Sequence, residues 1–107
     1  MDALARMIVV WKTPQDIDSF RRHYFEKHVP LAKKLPGLQK YEVSEGPITS
    51  PVGPSDVYMV AILHFDSMTA IRDAFASEAG RACAADRQEL APDTSSLQTF
   101  LFDTKEC

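Results

Sequence analysis

His28 is the residue of this chain best suited to chemistry. An imidazole changes charge near neutral pH, so it can take a proton from a weak acid and return it. It closes the stretch Phe20-Arg-Arg-His-Tyr24-Phe-Glu-Lys-His28, and Val29-Pro30 follows at once. Tyr24 lies one helical turn earlier and faces nearly the same way. Ile17 and Phe20 extend the same stripe toward the N-terminus. Acid–base work on a phenol, enol or quinol needs little more than such a histidine and an apolar pocket. The structural alternative is a histidine that ties down a helix kink by bonding a freed carbonyl.

Tyr58 and His64 are further candidates. Strand alternation puts both on one face, and Met59, Leu63 and Phe65 on the other. Alternation does not say which face meets the helices, so Tyr58 and His64 line either a pocket or a subunit seam. His23 points away from the Tyr24–His28 stripe and is expected in solvent. Its spacing of five from His28 does not set two ligands on one face of an α-helix, so no metal is expected. The chain has no Gly-rich phosphate loop, no Cys/His cluster and no Ser-centred nucleophile motif. Asp66, Ser67 and Ser77 read as helix caps. No cofactor is expected, since a single histidine is thin support for an axial haem ligand.

The elements that must position these residues are legible from patterning. Leu4–Trp11 is apolar on both faces with a β-branched centre, as a central strand is. Thr13-Pro14-Gln-Asp16 then opens a helix. Pro30 interrupts its stripe, so a kink or restart is expected at Val29-Pro30, with His28 at the end of the first piece. Pro36-Gly37 stops the helix. Leu38–Val43 reads as a half-polar edge strand. Glu45–Ser55, with three prolines and two glycines, is a loop and the expected site of greatest internal mobility. Val57–Phe65 is a strand apolar on both faces. Helices follow from Met68 to about Phe75 and from Ala79 to Leu90, and Ser96–Phe102 is the last strand.

That order is β-α-β-β-α-β, the split βαβ arrangement of a ferredoxin-like α+β domain: an antiparallel sheet with its helical regions on one face. The 107 residues make one domain, 1–107. Strands apolar on both faces need a second cover, and no chain remains to supply it. A second copy is the economical answer, giving a homodimer in which two sheets face each other as a dimeric α+β barrel.

Composition narrows the partners. A net charge of -3 without a basic stripe argues against nucleic acid. No segment is long and apolar enough to span a bilayer as a helix, and none reads as a signal peptide, so no membrane partner and a cytoplasmic location are expected. Cys83 and Cys107 match no metal spacing and are expected as free thiols.

The segment from Phe20 through His28-Val-Pro-Leu-Ala-Lys-Lys-Leu-Pro-Gly-Leu-Gln-Lys-Tyr41 to Glu42 resembles the EthD family, named for ethyl tert-butyl ether degradation. That family shows a Phe-x-x-Tyr-Tyr-like stretch, then His-x-Pro-Leu-Ala and Leu-Pro-Gly-Leu-x-x-Tyr. Phe65-Asp66-Ser67-Met68-x-Ala70 also fits, and Phe25 stands where members often carry another tyrosine. The resemblance implies a dimeric α+β barrel with a pocket between helices and sheet, in the setting of xenobiotic or secondary metabolism. Related barrels include cofactor-free oxygenases, cyclases, isomerases and haem enzymes. Two readings follow. One is a cofactor-independent isomerase, cyclase or oxygenase-like enzyme moving a proton through His28 on a small apolar or phenolic compound. The other is a non-catalytic protein that binds a hydrophobic metabolite or accompanies an oxygenase.

Overall fold

A sheet of four antiparallel strands, in the order β2-β3-β1-β4, carries all of the helices on one of its faces. The computed structural model describes residues 4–107. The central strands are β1 (Ala5–Lys12) and β3 (Val57–Phe65), flanked by β2 (Lys40–Val43) and β4 (Leu97–Asp103) at the edges. α1 (Ile17–His23) and α2 (Val29–Ala32) cross over between β1 and β2, and α3 (Met68–Ala76) and α4 (Glu78–Leu90) between β3 and β4. This is the ferredoxin-like α+β domain that the element order implies.

Alternation sorts the two sheet faces. Ala5, Val9 and Trp11 of β1 and Met59, Ala61, Leu63 and Phe65 of β3 are buried under the helices. Their neighbours Ile8, Val10, Val60 and Ile62 lie on the other face. There Ile8 sits between Ile62 and Phe100, and Val10 opposes Val60. Phe100 and Phe102 are 47% and 38% exposed. No element among the described residues covers that apolar face.

The long helical region does not break at Val29-Pro30. Tyr24–His28 forms a π turn, and α2 continues from it with Pro30 in its first turn. The backbone stays helical through His28 and Val29, and the Val29 amide donates to the Tyr24 carbonyl five residues back. The expected kink is replaced by this wider turn for a physical reason. A proline ring collides with the carbonyl four residues earlier and offers it no N–H. Opening the preceding turn to i→i+5 bonding relieves the collision and keeps the helix intact.

α3 and α4 meet at Ser77. Its hydroxyl accepts from the Gly80 amide and donates to the Ala74 carbonyl, so one residue ends one helix and caps the next. Gly80 is buried against the end of α3, where a Cβ would collide with the Ala74 carbonyl and the Phe75 backbone. The corner brings α4 back across the sheet with Gly80, Cys83 and Asp86 on its buried side.

Candidate functional site

Between the helical layer and the sheet lies a cavity of about 230 Å³. The sheet contributes Met7, Val9, Trp11, Tyr41, Ala61, Leu63 and Thr99. The π turn contributes Tyr24 and His28, and α4 contributes Cys83, Ala84 and Arg87. Most of this wall is hydrocarbon, so each polar group in it stands out.

His28 is buried, and its Nδ1 lies 2.9 Å from Oδ2 of Asp86. The other carboxylate oxygen, Oδ1, lies 2.8 Å from Nε2 of His23 and 3.5 Å from Nζ of Lys27. Asp86 is only 3% exposed. Burial pushes its carboxyl up, but the hydrogen bonds from His23 and His28 and the charge of those rings outweigh burial and hold it below the usual range. Burial lowers the pKa of His28, the hydrogen bond and charge of Asp86 oppose that, and His23 and Arg87 add to the fall. At neutral pH the pair is therefore a carboxylate and a neutral imidazole. The carboxylate accepts from Nδ1–H, which leaves the lone pair on Nε2. Nε2 has no partner among the described residues, and the ring lines the cavity.

The hydroxyls of Tyr24 and Tyr41 share a hydrogen bond of 2.6 Å. Burial raises both, Tyr41 to about 12 and Tyr24 further still, so both remain protonated donors. The Tyr24 ring lies 5.3 Å from the His28 ring. Cys83 is buried, which pushes its thiol up to about 11, with the charge of Asp86 adding to the rise. It offers no thiolate nucleophile at neutral pH.

The structure sorts the residues singled out from sequence. His28 and Tyr24 line the cavity together. Phe20 is buried but stands behind the site, stacked on Tyr24 at 5.8 Å and bordering a neighbouring groove. Ile17 is 41% exposed at the start of α1 and is not part of the cavity wall. Tyr58 and His64 also lie outside that wall, and for different reasons. Opposite Trp11 and Lys12 stand Met59 and Val57, so Tyr58 is the extra residue of a bulge. Its ring packs edge-on to Phe20 at 6.0 Å, and its hydroxyl accepts from Arg21. His64 lies on the open sheet face and bonds Glu42 across β2 and β3 at 2.7 Å, which lowers the Glu42 carboxyl.

His23 differs from its expected place in solvent. It bonds the same carboxylate as His28, because residues five apart come onto one face where the helix makes i→i+5 bonds. His23, Asp86 and Glu89 cluster closely, and the Lys27 ammonium sits among them, 3.0 Å from Glu89. Asp86 escaped the sequence reading, although an acid on the stripe Gly80, Cys83, Asp86 was a visible signal. Trp11, Tyr41 and Arg87 were missed as cavity residues, since a strand aromatic or a late-helix arginine has many commoner roles.

The EthD domain model matches residues 12–94. An uncharacterized 11.0 kDa protein in the thcB-thcC intergenic region of Rhodococcus erythropolis is 35% identical over 102 residues, 94% of each chain. The crystal structure of an ethyl tert-butyl ether degradation family protein from Bacillus halodurans superposes with a TM-score of 0.85 at 26% identity, covering 95% of this chain and 99% of that one. SnoaB, a cofactor-independent oxygenase from Streptomyces nogalater, shares the fold at a TM-score of 0.68 and 14% identity, over 98% of this chain and 96% of its own. A domain match over most of the chain, joined by a relative 35% identical over 94% of its length, makes this protein a member of the EthD family.

Proposed function

We propose that this protein is a homodimer whose subunits each bind a small apolar or phenolic compound in the cavity, and that His28 moves a proton on it without a cofactor. The observation that carries the reading is the His28–Asp86 pair set into an otherwise apolar wall. Asp86 fixes the tautomer, so Nε2 is the base. It takes a proton from an acidic O–H or C–H of the ligand, and the imidazolium so formed stays beside the Asp86 carboxylate. The Tyr24 and Tyr41 hydroxyls keep their own protons; one donates to the other, and the proton left over is suited to donate to the oxygen where negative charge develops. Isomerisation, cyclisation and oxygenase-like chemistry share this first step. SnoaB supports the reading as a protein of this fold described as a cofactor-independent oxygenase. The dimer rests on the uncovered face of Ile8, Val10, Val60, Ile62 and Phe100.

A ligand screen tests this directly. One- and two-ring phenols and ring ketones are screened by thermal shift. Ligands that bind are then incubated with the protein in heavy water, and exchange of their acidic C–H positions is followed by NMR. His28→Gln is expected to keep the ligand and slow exchange by about 10²–10⁴-fold. Equal exchange by both proteins refutes the acid–base role. Absence of binding across the screen refutes the cavity as a phenol site.

A further inference from the structure

One buried donor, on a residue that lines the cavity, stands without a partner. The Tyr24 and Tyr41 hydroxyls bond each other, Nδ1 of His28 bonds Asp86, and Nη1 of Arg87 donates to the Ala91 carbonyl. Nε1 of Trp11 is buried and has no hydrogen-bond partner. Among the described residues it is the one fully buried side-chain nitrogen or oxygen in that state. Trp11 as a whole is only 2% exposed.

An orphaned indole N–H is costly, because folding strips it of water and returns nothing. Packing alone does not call for it. The ring lies edge-on to Phe20 at 5.2 Å, Tyr24 at 5.8 Å and His28 at 6.4 Å. A phenylalanine makes contacts of the same kind with no donor to satisfy. Those same contacts hold the indole in one orientation, which is how a fixed hydrogen-bond donor is built.

Resting on the phenol-site reading above, we propose that Trp11 is a specificity-determining residue whose Nε1–H donates to a carbonyl-type acceptor on the bound compound. The ligand class is thereby narrowed. It is a compact ring compound with a hydroxyl or enol at the His28 and tyrosine end and an acceptor oxygen toward Trp11. Size agrees. A cavity of about 150 Å³ takes benzene, so 230 Å³ takes a ring that carries both groups.

The chain contains a single tryptophan, so a ¹H–¹⁵N spectrum holds one indole signal and reports on this atom alone. The probes are two matched pairs: meta- and para-hydroxyacetophenone against meta- and para-ethylphenol. They differ in the ketone oxygen. In the unaltered protein the ketones are expected to bind about tenfold more tightly than the ethyl compounds and to move the indole signal downfield. In Trp11→Phe, checked for an unchanged melting curve and mass in solution, the preference is expected to shrink to about twofold or less. The greater acidity of the hydroxyketones acts in both proteins and cancels in that comparison. If Trp11→Phe fails to fold, the indole shift decides.

A preference that survives in Trp11→Phe overturns the proposal. So does an indole signal that ignores the ketone and exchanges quickly with water. The latter result means the N–H is solvated from the groove that Trp11 also borders beside Thr13 and Pro14. Binding of all four probes without preference removes only the role of Trp11. Binding of none removes the phenol site and this proposal with it.

Discussion

Replacing Asp86 with asparagine tests the site at its most constrained point. The carboxylate accepts two imidazole N–H groups, from His23 at 2.8 Å and His28 at 2.9 Å. A carboxamide of the same shape has one acceptor oxygen and one NH₂. It satisfies one imidazole as before and forces the other to change tautomer. His23 is partly exposed and turns to water at little cost, whereas the His28 side chain is 9% exposed and has no such outlet. Exchanging the bond to a charged acceptor for a neutral one costs about 1–2 kcal/mol. Asp86 also holds the His28 pKa up against burial, so in Asp86→Asn the ring titrates at lower pH than in the unaltered protein. The pH dependence follows by linkage. His28 has a folded pKa below its ordinary 6.5, so its contribution is present above that value and is lost as pH falls toward the folded one. That loss is larger without Asp86, and the gap between the two proteins widens as pH falls through the histidine range. Asp86 also has a lowered folded pKa. Its contribution is present above its ordinary 3.8 and disappears as pH falls through the folded value, so the gap closes there. Urea denaturation at fixed protein concentration measures the gap, and histidine side-chain ¹⁵N NMR reads tautomer and titration. A gap indistinguishable from zero at pH 7, or a His28 that titrates at higher pH in Asp86→Asn, refutes the assigned roles.

Gly80→Ala is expected to destabilise the fold or shift the α3–α4 corner, because its Cβ meets the Ala74 carbonyl and the Phe75 backbone. A melting temperature at or above that of the unaltered protein contradicts this. Light scattering at micromolar concentration should give twice the chain mass, and Phe100→Lys on the open face should drive the mass toward one chain while far-UV circular dichroism is retained. A monomer before mutation removes the dimer. Amides in the loop 45–55 should exchange hydrogen faster than those of Val57–Leu63, where β3 pairs with β1 except at the Tyr58 bulge and with β2 from Ala61 onward; equal protection of Ile48 and Val52 counts against it.

Patterning was enough for the elements and their order because each of the two central strands is apolar at nearly every position, and α1, α3 and α4 each open on a capping side chain. Side-chain direction was harder wherever backbone geometry departed from a regular repeat. The bulge at Tyr58 redirects that ring toward Phe20, so its face could not be counted from His64. The π turn gathers His23 and His28 onto one carboxylate, which α-helical counting set apart. Ile17 occupies the apolar stripe by spacing, yet it sits at the first residue of α1, beyond the reach of the sheet's cover. Asp86 depended on a contact 58 residues distant in sequence, and no local pattern carries such a contact.

Pro30 accounts for the departure around His28. A proline two residues after a histidine reads as a helix breaker, and the simplest expectation is that it ends the first helix and frees a carbonyl for the imidazole to bond. The fold relieves the same collision differently. Widening one turn keeps every residue from Ile17 to Ala32 helical and rotates the residues after it relative to those before. The buried stripe, with Phe20 ahead of the turn and Tyr24 and His28 at its two ends, continues at Ala32 and Leu35. His28 then faces both the cavity and α4, where Asp86 completes it. The structural role first considered for His28, bonding a carbonyl freed by Pro30, loses its basis, because the His28 ring bonds a carboxylate on another helix instead. A histidine bound only to its own helix would be a strut. One fixed by a buried carboxylate across the helical layer, with its second nitrogen unpartnered beside a cavity, is the starting arrangement for the proton transfer proposed above.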